Sequence, residues 1–283
     1  MKLFRFGPVG GEKPGLILAD GRKIDAATFG EDYNEGFFET GGLGRLAAWA
    51  AEHGSDAPTV ADDVRIGSPV GRPSKIICIG LNYADHAAEA GAELPPEPIV
   101  FSKASTSLCG PNDGLIIPRD SEQTDWEVEL AFVISKKASY VEEADAHSHI
   151  AGFALMNDYS ERAFQHEREG QWIKGKSNDS FAPLGPFLAT PDELGNPYGL
   201  GIWLKVNGQM MQDSNTEQLV FKAPFLISYL SRFMTLLPGD VVSTGTPGGV
   251  GAGFKPPLFL KAGDEIELGI DGLGTQRQVA TQA

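Results

Sequence analysis

A chain of 283 residues has room for roughly two domains at about 150 residues each, or for one large one. Its 38 acidic and 23 basic residues leave a formal net charge of −15, which argues against any broad affinity for nucleic acid or for an anionic membrane surface. The hydrophobic share of 41% is ordinary for a globular protein, and no apolar run approaches the roughly 20 residues of a spanning helix. Only Cys78 and Cys109 are present, so neither a disulfide framework nor a thiolate metal site is expected. The opening Met-Lys-Leu-Phe-Arg-Phe-Gly-Pro lacks the apolar stretch of a secretory signal, and a cytoplasmic location is expected.

With 35 glycines and 19 prolines the chain is punctuated every few residues, which favours many short strands over long helices. Residues 1–27 read as a small β unit: Leu3, Phe4 and Phe6, then 15–19, an Asp20-Gly21 turn, and 23–25. Leu43, Leu46, Ala47 and Ala50 recur at helical spacing, and Gly54 stands where that helix would stop. The stretch 55–74, rich in Pro, Gly, Asp and Ser, reads as a linker. We therefore expect a small N-terminal α/β appendage over residues 1–70 and a catalytic domain over 71–283. In the larger part, strand patterning falls at 76–81, 99–102, 126–135, 152–156, 202–206, 241–244 and 265–270, with Asn207-Gly208 as a hairpin turn. Helical patterning is confined to 83–90, 142–149 and 223–233. The expected class is a β-dominated α+β fold, without the strand-helix alternation of a doubly wound sheet.

Five stretches carry groups suited to chemistry. In Asp125-Trp126-Glu127-Val128-Glu129, strand alternation sends Glu127 and Glu129 to one face, inside a segment apolar enough to be largely buried. Two buried carboxylates call for a cation between them, the alternative being a solvated strand face. Asp158 ends the apolar run 153–156 and serves equally well as a turn cap or as a third acid. Three carboxylates from two strands would make an all-oxygen site suited to Mg²⁺, Mn²⁺ or Ca²⁺ and not to Zn²⁺. On a helix, His86 and Glu89 share a face, so that Glu89 can orient the imidazole for water activation; an exposed salt-bridged histidine is the alternative.

Gly170-Gln171-Trp172-Ile173-Lys174-Gly175-Lys176-Ser177 satisfies the letter of a P-loop, but a charged segment precedes it and a proline-containing one follows, which leaves no strand before and no helix after. Lys176, with Arg162 and Lys103, reads better as a contact for a small anion. Thr244-Gly245-Thr246-Pro247-Gly248-Gly249 is either a simple inter-strand loop or a nest whose N–H groups and Thr246 hydroxyl approach a carboxylate.

Taken in order, Gly80-Leu81-Asn82-Tyr83 with His86, Asp125-Trp126-Glu127-Val128-Glu129, Asn157-Asp158-Tyr159-Ser160-Glu161-Arg162 and Gly175-Lys176-Ser177 resemble the fumarylacetoacetate hydrolase family. Pro183-Leu184-Gly185-Pro186, Val206-Asn207-Gly208, Pro238-Gly239-Asp240 and Thr244-Gly245-Thr246-Pro247 extend the likeness over about residues 75–275. The resemblance implies a mixed β-sandwich roll, usually a homodimer, with Mg²⁺ or Mn²⁺ held by Glu127, Glu129 and Asp158. It implies that His86 and Glu89 of a lid helix activate water, and that Lys103, Arg162, Gln165, Lys176 and Thr246 contact the acid and keto oxygens of a small keto acid, with Lys176 also steadying the developing oxyanion or enolate. Ala163 stands where many members carry an acidic residue. The segment 161–177 and the long N-terminal part look most like bacterial hydrolases of 2,4-diketo-3-deoxy-L-rhamnonate or L-fuconate, which release pyruvate and a hydroxy acid. Acylpyruvase, oxaloacetate decarboxylase and ureidoglycolate lyase activities share the same logic. From another class, a metal-binding protein without turnover would also carry the three acids.

Overall fold

The computed structural model describes the backbone of residues 1–283 and every side chain except that of Ala90. Two sheets carry the molecule. The larger has ten strands and runs Lys23–Asp25, Lys13–Ile17, Lys2–Phe6, Leu188–Ala189, Ile150–Asn157, Val128–Ile134, Val241–Ser243, Ile76–Gly80, Ile99–Lys103, with Ile66–Gly67 pairing on Lys2–Phe6. The smaller has five, in the order Gln209–Asn215, Gly201–Val206, Glu265–Ile270, Gly274–Gln282, Leu115–Ile117. Among the described residues no helix is long and apolar enough to cross a membrane. The fold is strand-dominated α+β.

The central strand Val128–Ile134 is buried along its whole length, because each of its faces meets a different core. Val128, Leu130, Phe132 and Ile134 join the cluster that includes Ile202, Leu204, Ile266 and Leu268 of the smaller sheet. Ala131 and Val133 point the other way, into a cluster shared with Tyr33, Phe37, Phe38 and Leu46 of the N-terminal part. Continuing the alternation back along the chain puts Glu127 and Glu129 on this second face. The neighbouring strand Ile150–Asn157 pairs in the register Val128↔Asn157, which sets Asp158 opposite Glu127, and the Asp158 N–H donates to the Glu127 carbonyl at 2.9 Å.

The N-terminal strands continue the large sheet: Lys2 pairs with Ala189 and Leu3 with Leu188. The stretch 55–74 is not wholly a linker, since Ile66–Gly67 is itself a strand on Lys2–Phe6. The expected helices appear at Gly42–His53, Ala84–Ala90 and Ala223–Leu230, whereas 142–149 forms a 3₁₀ helix, Glu143–His149. Asn207-Gly208 turns the hairpin with φ of 51° and 77°. Strands Gln209–Asn215 and Gly274–Gln282 carry no apolar alternation in sequence. In Gly274–Gln282 the inward positions include Gln276 and Gln278, both buried. The Gln276 amide donates to the carbonyls of Leu155 and Gly185, each at 2.9 Å, and Gln278 accepts from the Tyr159 hydroxyl at 2.9 Å.

Candidate active site

Register and alternation bring Glu127, Glu129 and Asp158 together, one ligand oxygen from each lying within 4.8 Å of the others, and all three side chains are buried. Each is held differently. Glu127 accepts from Lys176 Nζ at 2.6 Å through Oε2 and from Arg162 Nη2 at 2.7 Å through Oε1. Asp158 accepts from Lys176 Nζ at 2.9 Å through Oδ2, and from Lys103 Nζ through Oδ1. Glu129 has no cationic partner among the described residues; its Oε2 takes the Ser243 hydroxyl and the Gly245 N–H, the latter at 3.0 Å.

Those partners set the charge states. Burial opposes ionisation of Glu127, but Lys176 and Arg162 together outweigh it and bring that carboxyl down to about 2. Burial, reinforced by the negative charges of Asp158 and Glu127, pushes Glu129 well above the usual carboxylate range. Burial would lower Lys176 and Arg162, yet the facing carboxylates, Asp158 and Glu127 for the lysine and Asp125 and Glu127 for the arginine, hold both above their ordinary values. Four carboxylates (Asp125, Glu127, Glu129, Asp158) thus face three cations (Lys103, Arg162, Lys176). The deficit of positive charge sits at Glu129, beside two ionised neighbours. A hard divalent cation among these three oxygens fits the donor set and would supply the missing charge.

The cations are not interchangeable. Lys176 closes the four-residue helix Ile173–Lys176, is about 1% exposed, and points its ammonium between Glu127 and Asp158, 4.9 Å from the Phe101 ring centre. It binds carboxylates, and the segment before it is the short helix Arg162–His166 in place of a strand, so the P-loop pattern has no structural counterpart. Arg162 donates to Asp125, Glu127 and Gln165; with Ala163 beside it in sequence, its acidic partners come from the facing 125–127 segment. Lys103, expected among the contacts to the substrate's acid and keto oxygens, does not line the cavity: its ammonium is sealed inside against Asp158 and the Tyr159 carbonyl, at 3.0 Å from the latter.

His86 and Glu89 sit one turn apart on Ala84–Ala90, with Nδ1 and Oε2 3.4 Å apart. Glu89 also takes the Gly249 N–H, at 2.9 and 3.1 Å from its two oxygens, which ties the helix to the glycine loop. That loop is a carboxylate nest, but for the protein's own acids: Gly245 serves Glu129, Gly249 serves Glu89, and Gly251 and Ala252 serve Asp125. The Thr246 hydroxyl is engaged on both sides, donating to the Val128 carbonyl at 2.9 Å and accepting from Gln212 at 2.8 Å.

A cavity of about 310 Å³ collects most of these groups: His86, Glu127, Glu129, Arg162, Gln165, Lys176 and Thr246 line it together with Ile99, Phe101, His166 and Trp172. His166 and Trp172 stand edge to face at 6.0 Å, and Trp172 meets Phe101 at 5.1 Å. Burial, then the charges of Arg162 and Lys176, keep the His166 imidazole below its ordinary value. Neither residue carries a sequence signal. Asp125 does, since 125, 127 and 129 alternate as acids, and its bond to Arg162 was the missing half of that pattern.

The profile of the family described as Fumarylacetoacetate (FAA) hydrolase C-terminal matches residues 75–280. A Burkholderia multivorans protein, named only provisionally as a hydrolase, is 51% identical over the full length of both chains. Among solved structures, a fumarylacetoacetate hydrolase from Exiguobacterium antarcticum is 32% identical with a TM-score of 0.84, covering all of both chains. A maleylpyruvate hydrolase from Sphingobium sp. SYK-6, solved with manganese(II) and pyruvate, is 27% identical with a TM-score of 0.82, again over all of both chains. The protein belongs to the fumarylacetoacetate hydrolase family of enzymes.

Proposed function

We propose that this enzyme hydrolyses the C3–C4 bond of a 2,4-diketo acid to pyruvate and a second carboxylic acid, with 2,4-diketo-3-deoxy-L-rhamnonate or L-fuconate as the favoured substrates. The observation that carries the reading is one cavity lined by Glu127, Glu129, Arg162, Lys176 and His86, with Asp158 completing the acid trio and Glu89 paired to the histidine, both outside its lining. The manganese and pyruvate held by the maleylpyruvate hydrolase support it. Glu127, Glu129 and Asp158 would hold a divalent ion, Mg²⁺ or Mn²⁺, which when bound would supply Lewis acidity to the substrate's oxygens. Arg162 and Gln165 bind the acid end. His86, oriented by Glu89, accepts a proton from water as its oxygen attacks C4, and the hydroxyl stays with the new carboxylic acid. Lys176 stabilises the negative charge that develops on the substrate oxygens. A proton returns to C3 to complete the pyruvate methyl group.

A hydroxylated tail is favoured by the cavity wall. His166, Trp172 and Gln165 line it, and neither the His166 ring nitrogens nor the Trp172 indole N–H has a hydrogen-bond partner among the described residues. A second copy of the chain is part of the same proposal, since the half-exposed to exposed aromatic row Phe221, Phe225, Tyr229 and Phe233 offers a surface for one. Light scattering on the purified protein tests that point.

The test of function is pyruvate release, coupled to lactate dehydrogenase, from acylpyruvates, the two diketo sugar acids and oxaloacetate. Preference for the sugar acids supports the reading. Release from oxaloacetate alone replaces it with a decarboxylase, and silence across the panel with glyoxylate formed from ureidoglycolate replaces it with a lyase.

A further inference from the structure

We infer that Asp125 is a positioning residue that fixes the Arg162 guanidinium and the 249–252 turn in one frame, registering the group that grips the substrate's acid end to the turn that holds the lid helix. The inference rests on the reading of Arg162 as a substrate contact.

Asp125 is fully buried and lies outside the metal-ligating trio. Its Oδ1 accepts from the Trp126 N–H at 2.8 Å and the Gly251 N–H at 2.6 Å. Its Oδ2 accepts from Arg162 Nε at 2.8 Å and the Ala252 N–H at 3.0 Å, with Arg162 Nη2 at 2.7 Å. Capping a turn needs an acceptor and no charge, and a buried charge is costly unless matched. The match is Arg162. Three guanidinium nitrogens are committed, Nε to Asp125, Nη2 to Glu127 at 2.7 Å and Nη1 to Gln165 at 3.0 Å. A guanidinium has five N–H donors in a rigid plane, so these bonds dictate where its remaining donors aim. Arg162 lines the cavity, and Asp125, which does not, sets its plane from behind.

The second half of the frame is the turn. Asp125 grips Gly251 and Ala252, while the next residue, Trp126, donates its indole N–H to the Gly249 carbonyl at 3.0 Å. From the lid side Glu89 takes the Gly249 N–H. The turn is built for this close approach: a Cβ on Gly251 would lie 2.7 Å from Asp125 Oδ1 and 2.0 Å from the Leu258 carbonyl. Gly249, at φ +94°, would drive a Cβ to 2.0 Å from the Met211 carbonyl.

The test compares Asp125→Asn, Arg162→Lys and the double variant in the metal-loaded enzyme. Asparagine keeps an oxygen for Trp126 and Gly251 but turns an amide N–H₂ toward the arginine. The expected result for Asp125→Asn is a rise of about ten-fold or more in KM and in the calorimetric Kd for pyruvate, with a smaller change in kcat. In the double variant the two rises are expected not to multiply, because one residue acts through the other. Multiplying effects, or an unchanged KM and pyruvate Kd in folded Asp125→Asn, would overturn the inference. If Arg162→Lys alone leaves both values unchanged, the assignment of Arg162 as a substrate contact falls, and the inference with it. Ala252→Pro supplies a second variant should Asp125→Asn not fold, since it keeps every buried charge and removes one N–H from the carboxylate. It should raise KM in the same direction by a smaller factor, and no rise would count against the frame.

Discussion

Glu127→Gln separates metal binding from folding. In the metal-free protein the Glu127 carboxyl is brought from 4.5 down to about 2, and at about 1.4 kcal/mol per pH unit the ionised form gains about 3 kcal/mol from its surroundings. Those surroundings are Lys176 at 2.6 Å and Arg162 at 2.7 Å, both of which lose a charged partner in the glutamine variant. Urea unfolding of the metal-free protein at neutral pH should show a loss of about 3 kcal/mol, the usual cost of breaking a buried ion pair from one side. Because the folded-state value is depressed, the stabilisation is complete above pH 4.5 and fades as pH falls toward 2. The gap between wild type and variant should therefore close on acidification. In the same variant, calorimetry with Mg²⁺ or Mn²⁺ should find binding abolished. A stability change under about 1 kcal/mol would refute the electrostatic reasoning. Retained metal affinity would remove Glu127 from the ligand set.

His86→Ala should keep metal affinity and lower kcat by roughly 10²–10⁴, the usual worth of a general base, and an unchanged rate would move water activation elsewhere. Glu129 is held high by burial and by Asp158 and Glu127, which favours its protonated form, so an incoming ion competes with a proton there. Metal affinity should fall as pH falls, and titrations in buffers of different ionisation enthalpy should report proton release on binding; none released would contradict the raised value of Glu129. Gln276→Leu should cost about 1–3 kcal/mol in urea unfolding by stranding the carbonyls of Leu155 and Gly185, while an unaltered midpoint would deny the amide its structural role.

What the chain discloses without its fold follows from where alternation operates. Glu127 and Glu129 could be placed on one face because period-two geometry is local, and Asp158 joined them once the strand pairing set it opposite Glu127. His86 and Glu89 were likewise visible as a helical pair. Strand Gly274–Gln282 was hidden because glutamines occupy inward positions, and its amides serve carbonyls remote in sequence. The placement of Lys103 was hidden for a similar reason. A lysine after an apolar strand gives no sign whether it faces ligand or an internal acid, and here the acid is Asp158, 55 residues away. The glycine loop was legible as a nest for carboxylates, but not that Glu89, Asp125 and Glu129 fill it. His166 and Trp172 reach the cavity only through the packing of two short helices, which no periodicity reports.

The central claim is that the buried acids hold a divalent ion required for cleavage of a diketo acid. Its most direct test strips the purified enzyme with EDTA, follows pyruvate release from a 2,4-diketo-3-deoxy sugar acid, and titrates Mg²⁺ back. The account predicts no release from the stripped enzyme and full recovery at one ion per chain. Undiminished release without metal would contradict it.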